Sequence, residues 1–337
     1  MVCSFFLGAN TPKGFYSLFS QLDGFDLNVV KGGCGSGKST LIKSMIYKTD
    51  FSGICERILC SSDPDSLDGA VFHSLNAAIV DGTSPHIAET RGLGKYIVTP
   101  PATENMENRR AMLDALKSAK AKAYEDAYAS LSGYCNTVNR LLSLIPFNSE
   151  HFSQRADGIF KRESVKKHGK GKVLYRFLDC INGNGFSTLW TTVHSLANKI
   201  YVIEDDYSLA ADFFKRIEQS FSSAGYMVYS CLSPLFPDKV RHIIVPQLGL
   251  AFVTSDSLSK YNDEAFRRVH TSSCIDKIAY RATRQKIRLF QKISEEFLKD
   301  SVDSLKNAQI AHRELENLYR PYLDTAALDE LIKSEKI

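Results

Sequence analysis

Lys31-Gly-Gly-Cys-Gly-Ser-Gly-Lys-Ser-Thr40 fits the pattern G-x-x-x-x-G-K-[ST], with Gly32, Gly37, Lys38 and Ser39 in the fixed places. Leu27-Asn-Val-Val30 precedes it and reads as a short buried strand. Ser39-Thr-Leu-Ile-Lys-Ser-Met-Ile-Tyr47 follows with apolar residues at helical spacing. Strand, glycine-rich loop and helix is the order that phosphate binding requires. Glycines at 32, 33, 35 and 37, with Cys34 and Ser36 between them, let the backbone turn its N–H groups inward around an anion. The helix start at Lys38, Ser39 and Thr40 adds a partial positive charge. In such a loop Lys38 reaches the β- and γ-phosphates and Ser39 offers its hydroxyl to Mg²⁺. The expected ligand is a nucleoside triphosphate, ATP with Mg²⁺.

Further along, Glu56-Arg-Ile-Leu-Cys60 reads as a second strand running into a polar loop that holds Asp63, Asp65 and Asp68. Open α/β sheets bind ligands at the carboxyl ends of their strands, so these carboxylates are candidates for a substrate or metal, with a solvated turn as the alternative. Ala77-Ala-Ile-Val80 then ends in Asp81-Gly-Thr-Ser-Pro-His86. A carboxylate at the end of a buried strand downstream of the loop is what Mg²⁺ needs beside Ser39, which assigns Asp81. His86 is placed to polarise a water or contact a second substrate, or has no role. No glutamate follows Asp81 directly, so the usual water-activating carboxylate of strong ATPases is missing there. Arg91, Arg109 and Arg110 are candidates for a transition-state cation, against solvated helix charge.

The second half repeats the first. Phe6-Leu-Gly-Ala-Asn-Thr-Pro-Lys-Gly-Phe15 matches Phe177-Leu-Asp-Cys-Ile-Asn-Gly-Asn-Gly-Phe186, and Leu27–Val30 matches Lys199–Ile203. Cys60 falls opposite Cys231, and Phe72–Val80 runs parallel to Val245–Val253. Four registers in one order predict two copies of one α/β lobe. Where the first copy has the glycines, the second has Glu204-Asp-Asp-Tyr-Ser-Leu-Ala-Ala-Asp212, which would repel a triphosphate.

The expected fold is therefore α/β: two phosphate-loop NTPase-like lobes with helical-hairpin appendages, the first competent and the second degenerate. The expected boundaries are 1–146 for the first lobe, 147–172 for a basic linker, and 173–337 for the second lobe with its C-terminal helices. Residues 104–144 read as helical, in two halves around Ser132-Gly133. Arg267, Arg268, Arg281, Arg284, Lys286 and Arg288 form a local basic stretch, expected to belong to a packed helical arm.

A formal net charge of +4 over 337 residues does not announce a nucleic-acid binder. Eight scattered cysteines without a C-x-x-C pair suit reduced thiols in a cytoplasmic setting. The start lacks the basic and apolar regions of a secretory signal, and no apolar run is long enough to span a bilayer. No membrane partner is expected, and no protein partner can be named.

The chain resembles bacterial phosphate-loop ATP-binding proteins built from two tandem ATPase-like halves. The resemblance rests on residues 6–15, 31–40, Cys60-Ser-Ser-Asp-Pro-Asp-Ser-Leu-Asp-Gly69 and Ala78–His86, and more weakly on Ala311-His-Arg-Glu-Leu-Glu316. It implies ATP binding and no particular substrate. Members often carry a second phosphate loop, and this chain does not. Three functions follow as expectations: slow Mg²⁺-dependent ATP hydrolysis driving a conformational switch; a small-molecule or nucleotide kinase; and a non-hydrolysing ATP-sensing scaffold.

Overall fold

The computed structural model describes residues 1–83, 88–101, 103, 109–165 and 169–336. The first lobe contains β1 (Val2–Phe5), β2 (Gly8–Thr11), β3 (Gly14–Ser17), β4 (Asp26–Lys31), α1 (Lys38–Lys48), β5 (Cys55–Leu59), β6 (Leu67–Phe72), β7 (Ala77–Asp81) and β8 (Tyr96–Val98). A long helix, α2 (Arg110–Leu142), leads to α3 (Ser149–Ser153) and α4 (Arg155–Glu163). The second lobe has β9 (Lys172–Arg176), β10 (Asp179–Asn182), β11 (Gly185–Thr188), α5 (Trp190–Leu196), β12 (Lys199–Glu204) and α6 (Ala211–Ser223). It continues with β13 (Met227–Leu232), β14 (Val240–Val245), β15 (Leu250–Ser255) and β16 (Arg267–His270), and the chain closes with α7 (Lys277–Tyr319) and α8 (Thr325–Ser334).

The duplication is visible strand by strand. One sheet runs β1-β5-β6-β7-β4-β8, and the other, read from its opposite edge, runs β9-β13-β14-β15-β12-β16. Every equivalent pair has the same sense: the outer pairs are parallel, and the β5-β6-β7 and β13-β14-β15 meanders are antiparallel. Each lobe also carries a hairpin, β2-β3 or β10-β11. β4 and β12 are interior strands buried over four successive residues, apolar except for Asn28, whose side-chain amide donates to Ala78 C=O. One expected register shifts. Irregularities fall after Ile58 and after Cys231, so the counterpart of Cys231 is Ile58 rather than Cys60.

Equivalent residues meet where the lobes join. Phe6 N–H donates to Phe177 C=O and Phe177 N–H to Phe6 C=O, both at 2.9 Å. Beside them Arg176 is fully buried against Glu56, its Nε 2.6 Å from Oε2. Tyr229 and His73 also engage Glu56 Oε1, at 2.9 and 2.5 Å. Burial pushes the Glu56 carboxyl up, and the Arg176 guanidinium and the His73 contact outweigh it, holding the group well below the usual carboxylate range.

The helical parts differ from expectation. Residues 110–142 form one helix with no break at Gly133, where the missing side chain makes room for the Phe297 ring of α7, 2.6 Å from where a Cβ would be. The hairpin partner of α2 is therefore α7, which runs antiparallel to it. Leu144 meets Thr283, Gly133 meets Phe297, and Lys120 meets His312. Within 147–172, expected as an exposed linker, α3 and α4 bury Phe152, Ala156 and Ile159 against the α6 side of the second lobe. The C-terminal part of the expected second domain returns to the first lobe, where Leu331 and Ile332 of α8 pack beside Leu41, Ile42 and Met45. Among the described residues, no helix is long and apolar enough to cross a membrane, and all eight cysteines are free.

Removing one partner of a buried ion pair leaves the other charge uncompensated. Arg176→Met should therefore lower unfolding stability by about 3–5 kcal/mol in urea titration, whereas Arg176→Met with Glu56→Gln should recover part of the loss.

Candidate functional site

The strand β4 delivers the chain at Lys31 into the glycine loop, and α1 begins at Lys38. Thr99 ties the loop down. Its N–H and hydroxyl donate to Lys31 C=O at 2.9 and 3.2 Å, and its hydroxyl also lies 2.7 Å from Ser36 Oγ. Gly32 is required here, since a Cβ would fall 1.9 Å from Thr99 Oγ1. Gly37, with φ 85°, caps α1 in the left-handed region and supplies no side-chain acceptor. The first-turn N–H groups of α1, which have no intrahelical partners, are left for an external oxygen.

Lys38 folds along the loop, its Nζ donating to Gly33 C=O at 2.7 Å and Gly32 C=O at 3.2 Å, and it stands 3.8 Å from Asp81 Oδ2. Asp81 is brought there by β7, which pairs Asp81 with Val30 of β4. Thr83 donates to Asp81 Oδ1 from its N–H (2.8 Å) and its hydroxyl (2.6 Å), holding the carboxylate in place. Ser39 Oγ accepts from Leu67 N–H at 3.0 Å, which leaves its own proton and a lone pair for other partners. The donor set of Lys38 and uncapped amides, with the Ser39 hydroxyl and Asp81 carboxylate, is chemically suited to a polyphosphate and a hard divalent cation.

Of the other expected residues, Asp63 acts on the charge of His312 and Glu316 of α7 beside the loop, and the rest are not gathered there. Asp63 accepts from Ser66 Oγ at 3.0 Å, and Asp65 offers its carbonyl to Lys43 at 2.9 Å. Asp68 belongs to β6 and is buried rather than placed on a loop. Thr40 is exposed on α1. Arg91 is displaced from the site: its C=O accepts from Leu27 N–H at the start of β4, the end away from the loop, and its side chain pairs with Asp23. Arg110 is exposed and paired with Asp114 one turn on, while Arg109 donates to the Tyr322 hydroxyl at 2.7 Å. His86 lies outside the described residues.

What covers the loop comes from the two long helices. Glu316 O and Tyr319 Cβ of α7 are each 3.4 Å from where a Gly35 side chain would begin, and Leu328 of α8 lies against Gly37. Cys34, His312 and Glu316 place ligand-type atoms within 4.8 Å of one another. Lys120 of α2 lies 3.1 Å from His312 Nδ1 and, as a donor only, makes that nitrogen the acceptor. The proton of the neutral ring then sits on Nε2, 3.6 Å from Glu316 Oε1, close but beyond hydrogen-bond distance. Burial, then the Lys120 charge, pulls the His312 pKa down to about 4. Burial also lowers Lys120 and raises Cys34 and Glu316. The i,i+4 spacing of His312 and Glu316 is the only local mark these residues carry, since Cys34 meets them through tertiary packing.

The second lobe keeps the loop's shape and loses its chemistry. Ser208 holds φ 55° where Gly35 holds 69°. Asp205, at the Gly32 position, folds its own carboxylate into the loop and accepts from Leu209 N–H (2.9 Å) and Ala210 N–H (2.8 Å). Tyr207, at the Cys34 position, packs with Leu209 against Leu141 and Ile287 of the helix pair. The space left beside Asp205 is about 20 Å³, enough for roughly one water.

Docking of α7 on the loop should depend on pH through His312. Its ring titrates near 6.5 when undocked and at about 4 when docked, so the undocked state binds more protons between those values. Through His312 the docking is favoured above that window and weakens as pH falls through it, while the raised Glu316 carboxyl acts in the opposite sense. Amide exchange of residues 32–40, corrected for intrinsic rates, should accelerate between pH 6.5 and 4. His312→Gln should flatten that response.

No family model, no curated protein and no solved structure matches this chain.

Proposed function

We propose that the chain binds one Mg²⁺-ATP at residues 32–40 of the first lobe and hydrolyses it slowly, as a conformational switch. The observation that carries this reading is the placement of Lys38 beside Asp81 over an uncapped helix start. In the proposed complex Lys38 exchanges its loop carbonyls for phosphate oxygens, the α1 amides hold the phosphates, and Ser39 and Asp81 hold the cation or its water shell. Gly82 follows Asp81, and no second carboxylate is supplied there to activate a water, which suits slow turnover. The ends of α7 and α8 on Gly35 and Gly37 make a switch the favoured output, because a ligand in the loop must displace or engage them. A kinase has less support: Asp68 is buried, and Asp63 is engaged with Ser66.

Lys38→Ala removes a charge-assisted contact and should weaken ATP binding by roughly 10- to 150-fold in fluorescence titration; unchanged affinity would exclude the phosphate-loop role. Asp81→Asn should leave nucleotide binding largely intact while abolishing its Mg²⁺ dependence and phosphate release. Calorimetric titration should give one site per chain, since Asp205 already occupies the amides of the second loop. Two sites, one surviving Lys38→Ala, would overturn the single-site reading.

A further inference from the structure

The net charge of +4 hides a strong local asymmetry. At the edge of the second lobe, α4 and the edge strand β16 line an open groove of about 440 Å³. Arg155, Arg162, Arg267, Arg268 and His270 line it. Two of these are partly neutralised, Arg162 by Glu163 and Arg268 by Glu204. Arg155 donates to Ser273 Oγ at 3.0 Å, and among the described residues neither it nor Arg267 has a carboxylate ion-pair partner. The floor is open at Gly158, an exposed glycine inside α4 with nothing within 4 Å of where its side chain would be. Helix glycine costs about 1 kcal/mol relative to alanine, and here it clears space between the arginines.

Two features extend the groove. Phe266, next to Arg267, is 52% exposed and holds Lys199 over one face at 4.1 Å. Ser273, on the groove wall, lies just before Asp276, the N-cap of α7. From there Lys277, Arg281, Arg284, Arg288 and Lys292 follow at helical spacing, all exposed, and no acidic residue interrupts residues 277–293. At 1.5 Å per residue these five cations form a stripe of about 22 Å along one face. Cationic grooves with aromatic platforms bind single-stranded nucleic acid through the backbone charge and base stacking.

We propose that the α4–β16 groove and the cationic face at the start of α7 form a binding track for single-stranded nucleic acid. The alternative with the most to recommend it is an anionic membrane, because Ile278, Leu289 and Ile293 are exposed beside the stripe. Charge placement decides between them: the groove arginines sit beside the aromatic Phe266, whereas the exposed apolar residues lie on α7, so base stacking is available where the groove charge is. The track is separate from residues 32–40, so it stands or falls independently of ATP binding.

The test is fluorescence anisotropy of a labelled 20-nucleotide oligo-dT with the full chain. Binding should weaken with salt at a log–log slope of about −3, as for about four phosphate contacts on a single strand. Arg155→Ala with Arg267→Ala should lower affinity at least tenfold with an unchanged thermal melt, the paired Arg→Lys variant should retain most of it, and Lys38→Ala should not alter it. Absence of binding at 50 mM salt, or binding indifferent to the double alanine variant, would overturn the proposal. Binding to phosphatidylserine vesicles without oligo-dT binding would overturn it in favour of a membrane surface.

Discussion

The two lobes hold to one another through a symmetric pair of hydrogen bonds between Phe6 and Phe177, flanked by the buried Glu56–Arg176 ion pair. Equivalent backbone groups that exchange two hydrogen bonds impose an approximate twofold relation on everything attached to them. The bridge lies just beyond the ends of the two edge strands, β1 and β9. The ion pair adds specificity more than energy, because desolvation offsets much of the attraction between buried charges. Tyr229 and His73 satisfy Glu56 further, so the polar cluster is closed rather than left with an unmet acceptor.

From this junction the helices cross. The helix that leaves the first lobe, α2, ends against Tyr207 and Leu209 at the second loop, and the helix that leaves the second lobe, α7, ends against Gly35 at the first. Each loop is thus covered from the opposite lobe. In the second lobe the cover is apolar and the loop amides are already taken by Asp205, so that end is a fixed anchor. In the first lobe the cover combines Tyr319 and Leu328 with the polar groups Lys120, His312 and Glu316.

The comparison of the two loops shows how little backbone change separates them. Ser208 tolerates the left-handed conformation that Gly35 adopts, and α1 and α6 begin at equivalent residues. What differs is the occupant of the cradle. A carboxylate supplied by the chain satisfies the amides of Leu209 and Ala210, the counterparts of Ser36 and Gly37. Burial pushes the Asp205 pKa up, while the two amide hydrogen bonds act against that shift.

The strand, glycine loop and helix around residues 31–40 were legible because their signal is local: four glycines lie within ten positions, and the strand and helix neighbours carry their own periodicity. The duplication was legible too, since each lobe repeats its apolar registers in order, and so was the loss of glycine at 204–212. Asp81 could be placed because parallel pairing of β7 with β4 leaves little choice of position. The break expected at Gly133 was an error of context, as the glycine serves close approach to Phe297 rather than a turn. The helices at 149–163 escaped notice because short elements bury too few residues to show a period. Only the tertiary structure decided what covers the loop, for Lys120 and His312 stand 192 residues apart. Their meeting depends on the length and antiparallel packing of two helices anchored on different lobes, a distance relation that no local pattern of residues encodes.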